Sequence, residues 1–135
     1  MKKKVLVLCT GNSCRSQMAE GWLRHFHSDK IEVYSAGLEA HGINPFMKKV
    51  MEGQKINIDS HTSNMMSEYE HLVFDYVITL CDHANDNCPY FKDTKNRLHH
   101  SFEDPANAKG NDLEKYKVYN KVCNQIKQYC LDLEF

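Results

Sequence analysis

Residues 5–16 read VLVLCTGNSCRS, and their pattern indicates the fold class. Its first four residues are apolar without interruption, which is typical of a parallel strand buried on both faces. From Ser16 onward, apolar side chains recur at three- and four-residue spacing, which predicts a helix with one buried side. A short turn that contains Gly11 lies between the two. The stretch therefore predicts a strand, a tight loop and a helix, the opening unit of a parallel α/β sheet.

The rest of the chain continues this alternation. Asn44 and Pro45 mark a helix start, because asparagine caps helices and proline is favoured at their first position. Alternating strands and helices imply right-handed crossovers. We therefore expect a single domain over residues 1–135, a three-layer sandwich with a four-stranded parallel sheet between helices. The other predicted elements are strands over residues 31–36, 75–80 and 97–102, a short helix over 65–73, turns or a marginal helix over 82–96, and a terminal helix from residue 112.

Composition excludes several classes of partner and several roles for the cysteines. The chain has 17 basic and 18 acidic residues among 135, so nothing favours a nucleic acid or an anionic membrane as partner. The apolar run after the first four residues, MKKK, is too short for a signal peptide or a membrane span, so we expect a cytoplasmic protein. Six cysteines are too few for a disulfide scaffold. In a reducing compartment they are expected to pack, to bind metal or to react.

The loop after the first strand has the pattern Cys-x5-Arg-Ser, framed by Cys9 and Arg15. A loop of this length at a helix start directs backbone N–H groups inward, where the helix dipole adds positive charge. This predicts a cradle for a tetrahedral oxyanion, with Arg15 as a two-pronged donor. The same field predicts a Cys9 pKa well below the usual ~8.5, and Ser16 is expected to donate to its sulfur. The predicted binding residues are Thr10, Gly11, Asn12 (which also braces the loop), Ser13, Cys14, Arg15 and Ser16. The alternative is a buried cysteine followed by a plain turn.

Cys81 and Asp104 follow later predicted strands, so they are expected at the same sheet edge as Cys9. Asp104 is a candidate proton donor, and its alternative is a turn residue before proline. Cys81 and Cys88 have six residues between them, a spacing that no simple zinc knuckle requires. A helix would hold them roughly 10 Å apart, so a disulfide between them requires this segment to unwind.

Residues 9–22, CTGNSCRSQMAEGW, resemble the start of the thioredoxin-coupled arsenate reductases, which share the fold of the low-molecular-weight protein tyrosine phosphatases. Gln17 stands where the phosphatases usually carry proline, which favours the reductases. The similarity covers essentially the whole chain. It continues through YSAG at 34–37, HG at 41–42, NP at 44–45, ID at 58–59, HTS at 61–63, TLC at 79–81, NCP at 87–89 and FEDP at 102–105.

The resemblance implies reduction of arsenate to arsenite, in arsenic detoxification. Cys9 would attack arsenate while Asp104 protonates the departing oxygen. Cys81 would then attack the Cys9 sulfur and release arsenite, and Cys88 would attack Cys81, leaving a disulfide for thioredoxin to reduce. Phosphate and sulfate would compete with arsenate, no cofactor would be tightly bound, and the chain would be a monomer.

The resemblance also implies a potassium site beside the loop, at positions occupied here by Asn12, Glu20, Ser35 and Asn64. Asn64 stands where the family has an acid, so we expect a weak site at most.

Three cysteines have no step in this relay. Cys123 and Cys130 follow the apolar stripe of the terminal helix, so they are expected to pack in the core. Cys14 is either structural or the partner of an off-pathway bridge with Cys9.

One alternative function is a phosphatase that uses only Cys9, Arg15 and Asp104, although Ala106 and Asn107 replace the tyrosines that such phosphatases carry after Asp-Pro. The other is a non-catalytic thiol or metal sensor built on Cys81, Cys88 and the histidines 83, 99 and 100.

Overall fold

The computed structural model describes residues 2–86 and 94–135, so the predicted relay residue Cys88 lies outside the described residues. The strands are β1 (Lys3–Cys9), β2 (Ile31–Gly37), β3 (Tyr76–Thr79) and β4 (Asn96–His99), and the helices are α1 (Arg15–His27), α2 (Pro45–Gly53), α3 (Asp82–Asp86) and α4 (Asp112–Asp132). Short 3-10 turns cover Met66–Tyr69 and Pro105–Asn107. All strand pairs are parallel, in the order β2-β1-β3-β4, so the predicted α/β sheet is confirmed.

The central strand β1 divides the core into two layers. Val5 and Val7 pack with α1, α2 and α4 on one face of the sheet. Leu6 and Leu8 pack with the Met66–Tyr69 turn and α3 on the other. All four of these side chains are fully buried, and each contributes about 1.5–3 kcal/mol through the apolar surface it removes from water. The unbroken apolar run in the sequence is therefore the consequence of helices on both faces.

Two helices begin where the sequence predicts. The Asn44 side chain accepts from the backbone N–H groups of Phe46 and Met47 at 2.9 and 3.0 Å, with Pro45 at the first helical position. Asn111 caps α4 in the same way. Within residues 2–86 and 94–135, no helix has the length and apolar character needed to cross a membrane.

Two other predicted elements differ from the structure. The helix expected over 65–73 is only the Met66–Tyr69 turn, and Val73 is 81% exposed, so its apolar side chain does not mark a buried helix face. The last strand ends at His99 instead of residue 102. Asp104 consequently does not follow a strand directly but caps the Pro105–Asn107 turn.

The strand order fixes the position of the site. The chain crosses from β1 to β2 on one side and returns to β3 on the other side of β1. Parallel sheets bind ligands at such a switch, in the crevice beyond the carboxyl ends of the strands. Cys9 ends β1, and Cys81 lies two residues beyond β3.

Candidate active site

The loop after β1 encloses a small pocket of about 160 Å³. Every residue from Cys9 to Arg15 lines it, and three residues from other segments complete the wall: His41, Asp104 and Ala106. A larger concavity of about 520 Å³ lies along the outer edge of β2. Cys9 and Arg15 line the smaller pocket but not this concavity, so the smaller pocket is the candidate active site.

Asn12 braces the loop from within, as predicted. It is fully buried and adopts a left-handed backbone with φ of 47°, which asparagine tolerates better than most residues. Its amide nitrogen donates to the hydroxyls of Ser16 and Ser35 at 2.9 and 3.0 Å. Its side-chain oxygen accepts from the backbone N–H of Asn64 at 2.7 Å. One side chain thus ties the loop to α1, β2 and the segment that follows α2.

Gln17 connects the loop to the same segment from the other side. Its amide nitrogen donates to the carbonyls of Asn12 and Thr62 at 3.0 and 2.9 Å, and its oxygen pairs with Nδ1 of His61 at 2.9 Å. Burial, with a smaller effect of Arg24, lowers the pKa of His61 to about 4. His61 is therefore neutral at physiological pH and does not form an ion pair with nearby Glu20. A proline at position 17 could make none of these hydrogen bonds.

Arg15 reaches into the pocket from the first turn of α1. Its Nη1 donates to the carbonyl of Phe102 at 2.9 Å, and its Nη2 lies 3.5 Å from Oδ2 of Asp104. The side chain is only 10% exposed. Its Nε is buried without an acceptor within residues 2–86 and 94–135. A buried donor without a partner costs about 1–3 kcal/mol, so this group is ready for an anion.

The two cysteines predicted to react with each other lie in contact. The Sγ of Cys9 donates to the Sγ of Cys81 at 3.6 Å, and the Thr10 hydroxyl lies 3.3 Å from Cys81. The hydrogen bond from Cys9 is the largest cause that lowers the pKa of Cys81, to about 5, and Thr10 and Arg15 also lower it. The same hydrogen bond, followed by burial, raises the pKa of Cys9. The pair therefore holds one proton on Cys9 and its negative charge on Cys81.

Two sequence predictions about Cys9 are wrong for this arrangement. The loop was expected to lower its pKa, but Cys81 competes for the negative charge and holds it, while Cys9 lies 4% exposed and acts as the donor. Ser16 was expected to donate to the Cys9 sulfur. Its hydroxyl instead accepts from Asn12, and it makes no hydrogen bond to Cys9 in the described part of the chain.

Asp104 forms the turn contact that the sequence predicts, and it also lies at the pocket wall. Its Oδ1 accepts from the N–H of Ala106 at 3.0 Å, which is the expected turn contact before proline. Its Oδ2 faces Arg15 across the pocket wall, where a proton donor to a bound oxyanion is needed. The role of proton donor remains a prediction.

His41 lines the pocket without having been predicted. Its backbone N–H donates to the carbonyl of Gly11 at 2.9 Å, and its Nε2 lies 2.5 Å from the Glu39 carboxylate. A Cβ on Gly11 would lie 2.3 Å from Nδ1 of His41, so only glycine allows the ring to approach this closely. The sequence contains no spacing signal for this contact, because it depends on the chain folding back after β2.

Cys14, Cys123 and Cys130 are buried, and Cys14 also lines the pocket. Cys123 and Cys130 are 0% and 1% exposed, so their predicted packing role is confirmed. Cys14 is 6% exposed and belongs to the same core cluster, at the start of α1. Burial is the largest cause that raises the pKa of Cys14 and of Cys130. Their thiols are therefore protonated and unreactive at neutral pH.

The side chains predicted to hold potassium lie together, but they bond to one another. Ser35 donates to Glu20 at 2.5 Å and accepts from Asn12, while the side chain of Asn64 contacts two residues of its own segment. Arg24 lies 3.0 Å from the Glu20 carboxylate and supplies a fixed positive charge. These hydrogen bonds and the charge of Arg24 compete with a potassium ion for the same oxygens, and a weak potassium site stays a prediction.

The metal-sensor hypothesis finds no support in the described residues. Within 2–86 and 94–135, no group of three or more His, Cys, Asp or Glu side chains is arranged to hold a metal ion. His99 pairs with Asp82 and Thr79 instead of approaching Cys81 as a ligand.

Gly37, at the end of β2, packs against the backbone of the loop so closely that there is no room for a side chain. A Cβ there would lie 2.5 Å from the carbonyl oxygen of Glu39, 2.7 Å from the N of Asn12 and 2.7 Å from the carbonyl oxygen of Thr10, all of them backbone atoms that cannot move freely. We expect Gly37→Ala to lower the free energy of unfolding by about 3 kcal/mol and to weaken phosphate binding. Urea unfolding measures the first effect. Gly53→Ala is the control, because its Cβ would meet only the Tyr116 hydroxyl at 3.1 Å. Equal stability of the two variants would contradict this account.

A strand, an anion-binding loop of the Cys-x5-Arg type and a carboxylate on the opposite wall define a class of enzymes that attack tetrahedral oxyanions with a cysteine. The family model described as low molecular weight phosphotyrosine protein phosphatase matches residues 4–134. The chain therefore belongs to the low molecular weight phosphotyrosine protein phosphatase family.

Within this family, the chain is similar to arsenate reductases. It is 48% identical to an arsenate reductase of Halalkalibacterium halodurans over 125 residues, which cover 93% of this chain and 90% of the relative. A solved arsenate reductase in the phosphate binding state has a TM-score of 0.81 and 33% identity, covering 96% of this chain and 94% of that chain. Another, in the oxidized state, has a TM-score of 0.84 and 30% identity, covering 97% and 95%. The predicted phosphatase-like fold is confirmed.

Proposed function

We propose that this protein reduces arsenate to arsenite by thiol chemistry and that it serves arsenic detoxification in the cytoplasm. The observation that carries the proposal is the contact of 3.6 Å between the sulfur of Cys81 and that of Cys9, which lines the oxyanion pocket. A phosphatase needs one nucleophilic cysteine, whereas a reductase needs a second thiol that can reach the first. The similarity to arsenate reductases supports the same conclusion.

Substrate binding follows from the pocket. Its volume of about 160 Å³ suits a small tetrahedral anion, and Ala106 offers only a methyl group where an aryl phosphate would need an aromatic wall. The loop N–H groups and the unpaired Nε–H of Arg15 supply donors for the anion oxygens. Phosphate and sulfate have the same shape and charge type, so both would compete with arsenate.

The first chemical step joins Cys9 to arsenic. The proton of Cys9 passes to an oxygen of the bound anion, which leaves the Cys9 thiolate beside the arsenic atom and Cys81 still ionised. This thiolate attacks, a bond from sulfur to arsenic forms, and one oxygen departs with a proton from Asp104. Arsenic remains in the pentavalent state in this adduct.

The second step transfers electrons. The Cys81 thiolate attacks the Cys9 sulfur, the bond from sulfur to arsenic breaks, and its electron pair stays on arsenic, which leaves as trivalent arsenite. Cys9 and Cys81 are now joined by a disulfide. Cys88 then attacks Cys81, which frees the Cys9 thiolate and leaves a disulfide between residues 81 and 88. The dithiol of thioredoxin reduces this disulfide by exchange. The chain acts as a monomer without a tightly bound cofactor, and any potassium ion binds only weakly.

The Cys88→Ser variant tests this sequence of steps. In an assay with arsenate, thioredoxin, thioredoxin reductase and NADPH, we expect the wild type to turn over continuously. The variant should release about one arsenite per enzyme and then stop, because it has no thiol at position 88 to attack Cys81 and free Cys9 from the Cys9–Cys81 disulfide. Arsenite is quantified directly, and NADPH consumption reports recycling.

Cys130→Ala is the matched control, because Cys130 lies in the core away from the pocket and its variant should keep full turnover. Sustained turnover by Cys88→Ser would disprove the relay. Rapid hydrolysis of phosphate esters without arsenate reduction would favour the phosphatase.

A further inference from the structure

A polar cluster behind Cys81 has no part in the chemistry described so far. Nε2 of His99 lies 2.8 Å from Oδ1 of Asp82, and Nδ1 lies 2.7 Å from the Thr79 hydroxyl. Thr79 is 1% exposed, and its hydroxyl lies 3.3 Å from Oδ1 of Asn85. One imidazole at the end of β4 therefore holds the first residue of α3 directly and the fourth through Thr79.

The short helix α3 depends on such contacts. It has five residues, and a helix of this length is not stable by itself in water. The buried methyl group of Ala84 and the hydrogen bond from the Asn85 N–H to the Cys81 carbonyl at 3.1 Å also anchor it. The side chains of Asp82 and Asp86 are exposed, so packing contributes little at either end.

We propose that His99 is a positioning residue for Cys81: through Asp82 and Thr79 it fixes α3 on the sheet and so holds the Cys81 sulfur against Cys9. The chain runs from β3 through Cys81 directly into α3, so a displacement of the helix start moves this sulfur. At 3.6 Å from Cys9, a shift of even 1 Å matters for an attack that must be aligned.

The electrostatics of Cys81 agree with this geometry. The backbone amide of Ala84 in α3 is one of the groups that lower the pKa of Cys81. If α3 loosens, this amide no longer faces the sulfur, and the thiolate loses part of its stabilisation. His99 thus acts on Cys81 through the helix, without touching the substrate.

The same contacts oppose formation of the disulfide between residues 81 and 88, a consequence that rests on the proposed function. A helix would hold Cys81 and Cys88 roughly 10 Å apart, so their disulfide requires α3 to unwind, which opens the Asp82–His99 pair. Removing the pair should therefore slow the attack of Cys81 on the Cys9 adduct and speed the formation of the 81–88 disulfide. A residue that serves only stability would not separate the two steps.

The first test needs no arsenate. Alkylation of Cys81 by iodoacetamide is followed by peptide mapping across a pH series, in wild type, His99→Ala, Asp82→Ala and Asp86→Ala. The wild-type midpoint should lie near the Cys81 pKa of about 5. In the first two variants we expect it to rise by about one unit, which slows alkylation at pH 5 about fivefold. Asp86→Ala is the control on the same helix, since Asp86 has no partner within the described residues.

The second test measures the two steps separately. With Cys88→Ser added, single-turnover arsenite release should fall about threefold to tenfold in His99→Ala and Asp82→Ala, but not in Asp86→Ala. With Cys88 present, the 81–88 disulfide, trapped by acid quench, should form at least as fast as in wild type once arsenite has left.

An unchanged Cys81 midpoint in both variants would overturn the proposal. Equal slowing of both steps, together with a lower melting temperature, would also overturn it. If the wild type released no arsenite, the proposed function would fail, while the alkylation test would still decide the role of His99.

Discussion

Replacing Cys9 by serine should lower arsenate reduction by about 10⁴-fold or more, the size of effect seen when a nucleophile is removed from an active site. A serine hydroxyl remains protonated at neutral pH, and an oxygen bound to arsenic gives Cys81 no sulfur to attack. The reaction then stops before any electron is transferred. Arsenite quantified after hours with enzyme in excess is the measurement.

The control for Cys9→Ser is binding of inorganic phosphate. The backbone of the loop and Arg15 do not change, so the variant should still bind phosphate, which raises its melting temperature. Loss of both activity and phosphate binding would mean that the loop had collapsed. Retention of arsenite formation would show that a different residue attacks arsenate.

Replacing Cys81 by serine should lower arsenite release by at least about 10³-fold while leaving the first attack intact. Cys9 can still bond to arsenic, but no second thiol lies beside its sulfur to break that bond and return the electron pair. The Cys9 thiol also loses its hydrogen bond to Cys81, the largest cause of its raised pKa, together with the smaller effect of the Cys81 charge. We therefore expect Cys9 to be alkylated faster in this variant than in wild type.

Cys123→Ala is the matched comparison for Cys81→Ser. Cys123 is fully buried against Met51, with the sulfurs 3.5 Å apart, and its loss should cost about 1 kcal/mol of stability and no activity. A Cys81→Ser enzyme that still releases arsenite, in the absence of added thiol, would contradict the assignment of Cys81.

The sequence predicts best where one local rule determines the structure. The apolar run at 5–8 predicts β1 because both faces of that strand are covered. Asn44 and Pro45 predict the start of α2 because capping involves only adjacent residues. The Cys-x5-Arg pattern predicts the pocket for the same reason, since one loop supplies most of its wall.

The errors come from contacts between distant segments. The Cys9 pKa depends on Cys81, 72 residues away, and no pattern around Cys9 reports that a second thiol will take its charge. Ser16 is turned towards Asn12 by the bracing of the loop, and His99 reaches Asp82 only after β4 joins the sheet. The helix predicted over 65–73 failed because its apolar side chains are divided between the core and solvent, as Met66 and Val73 show.

The burial of Cys14, Cys123 and Cys130 has a consequence for the lifetime of the enzyme. A protein that passes a disulfide from one sulfur to the next in every cycle is exposed to mispairing, and each further thiolate within reach is a dead end. Keeping these three sulfurs protonated within the core removes them from exchange. Peroxide should accordingly damage the working thiols first, and a bound oxyanion that covers Cys9 should protect it.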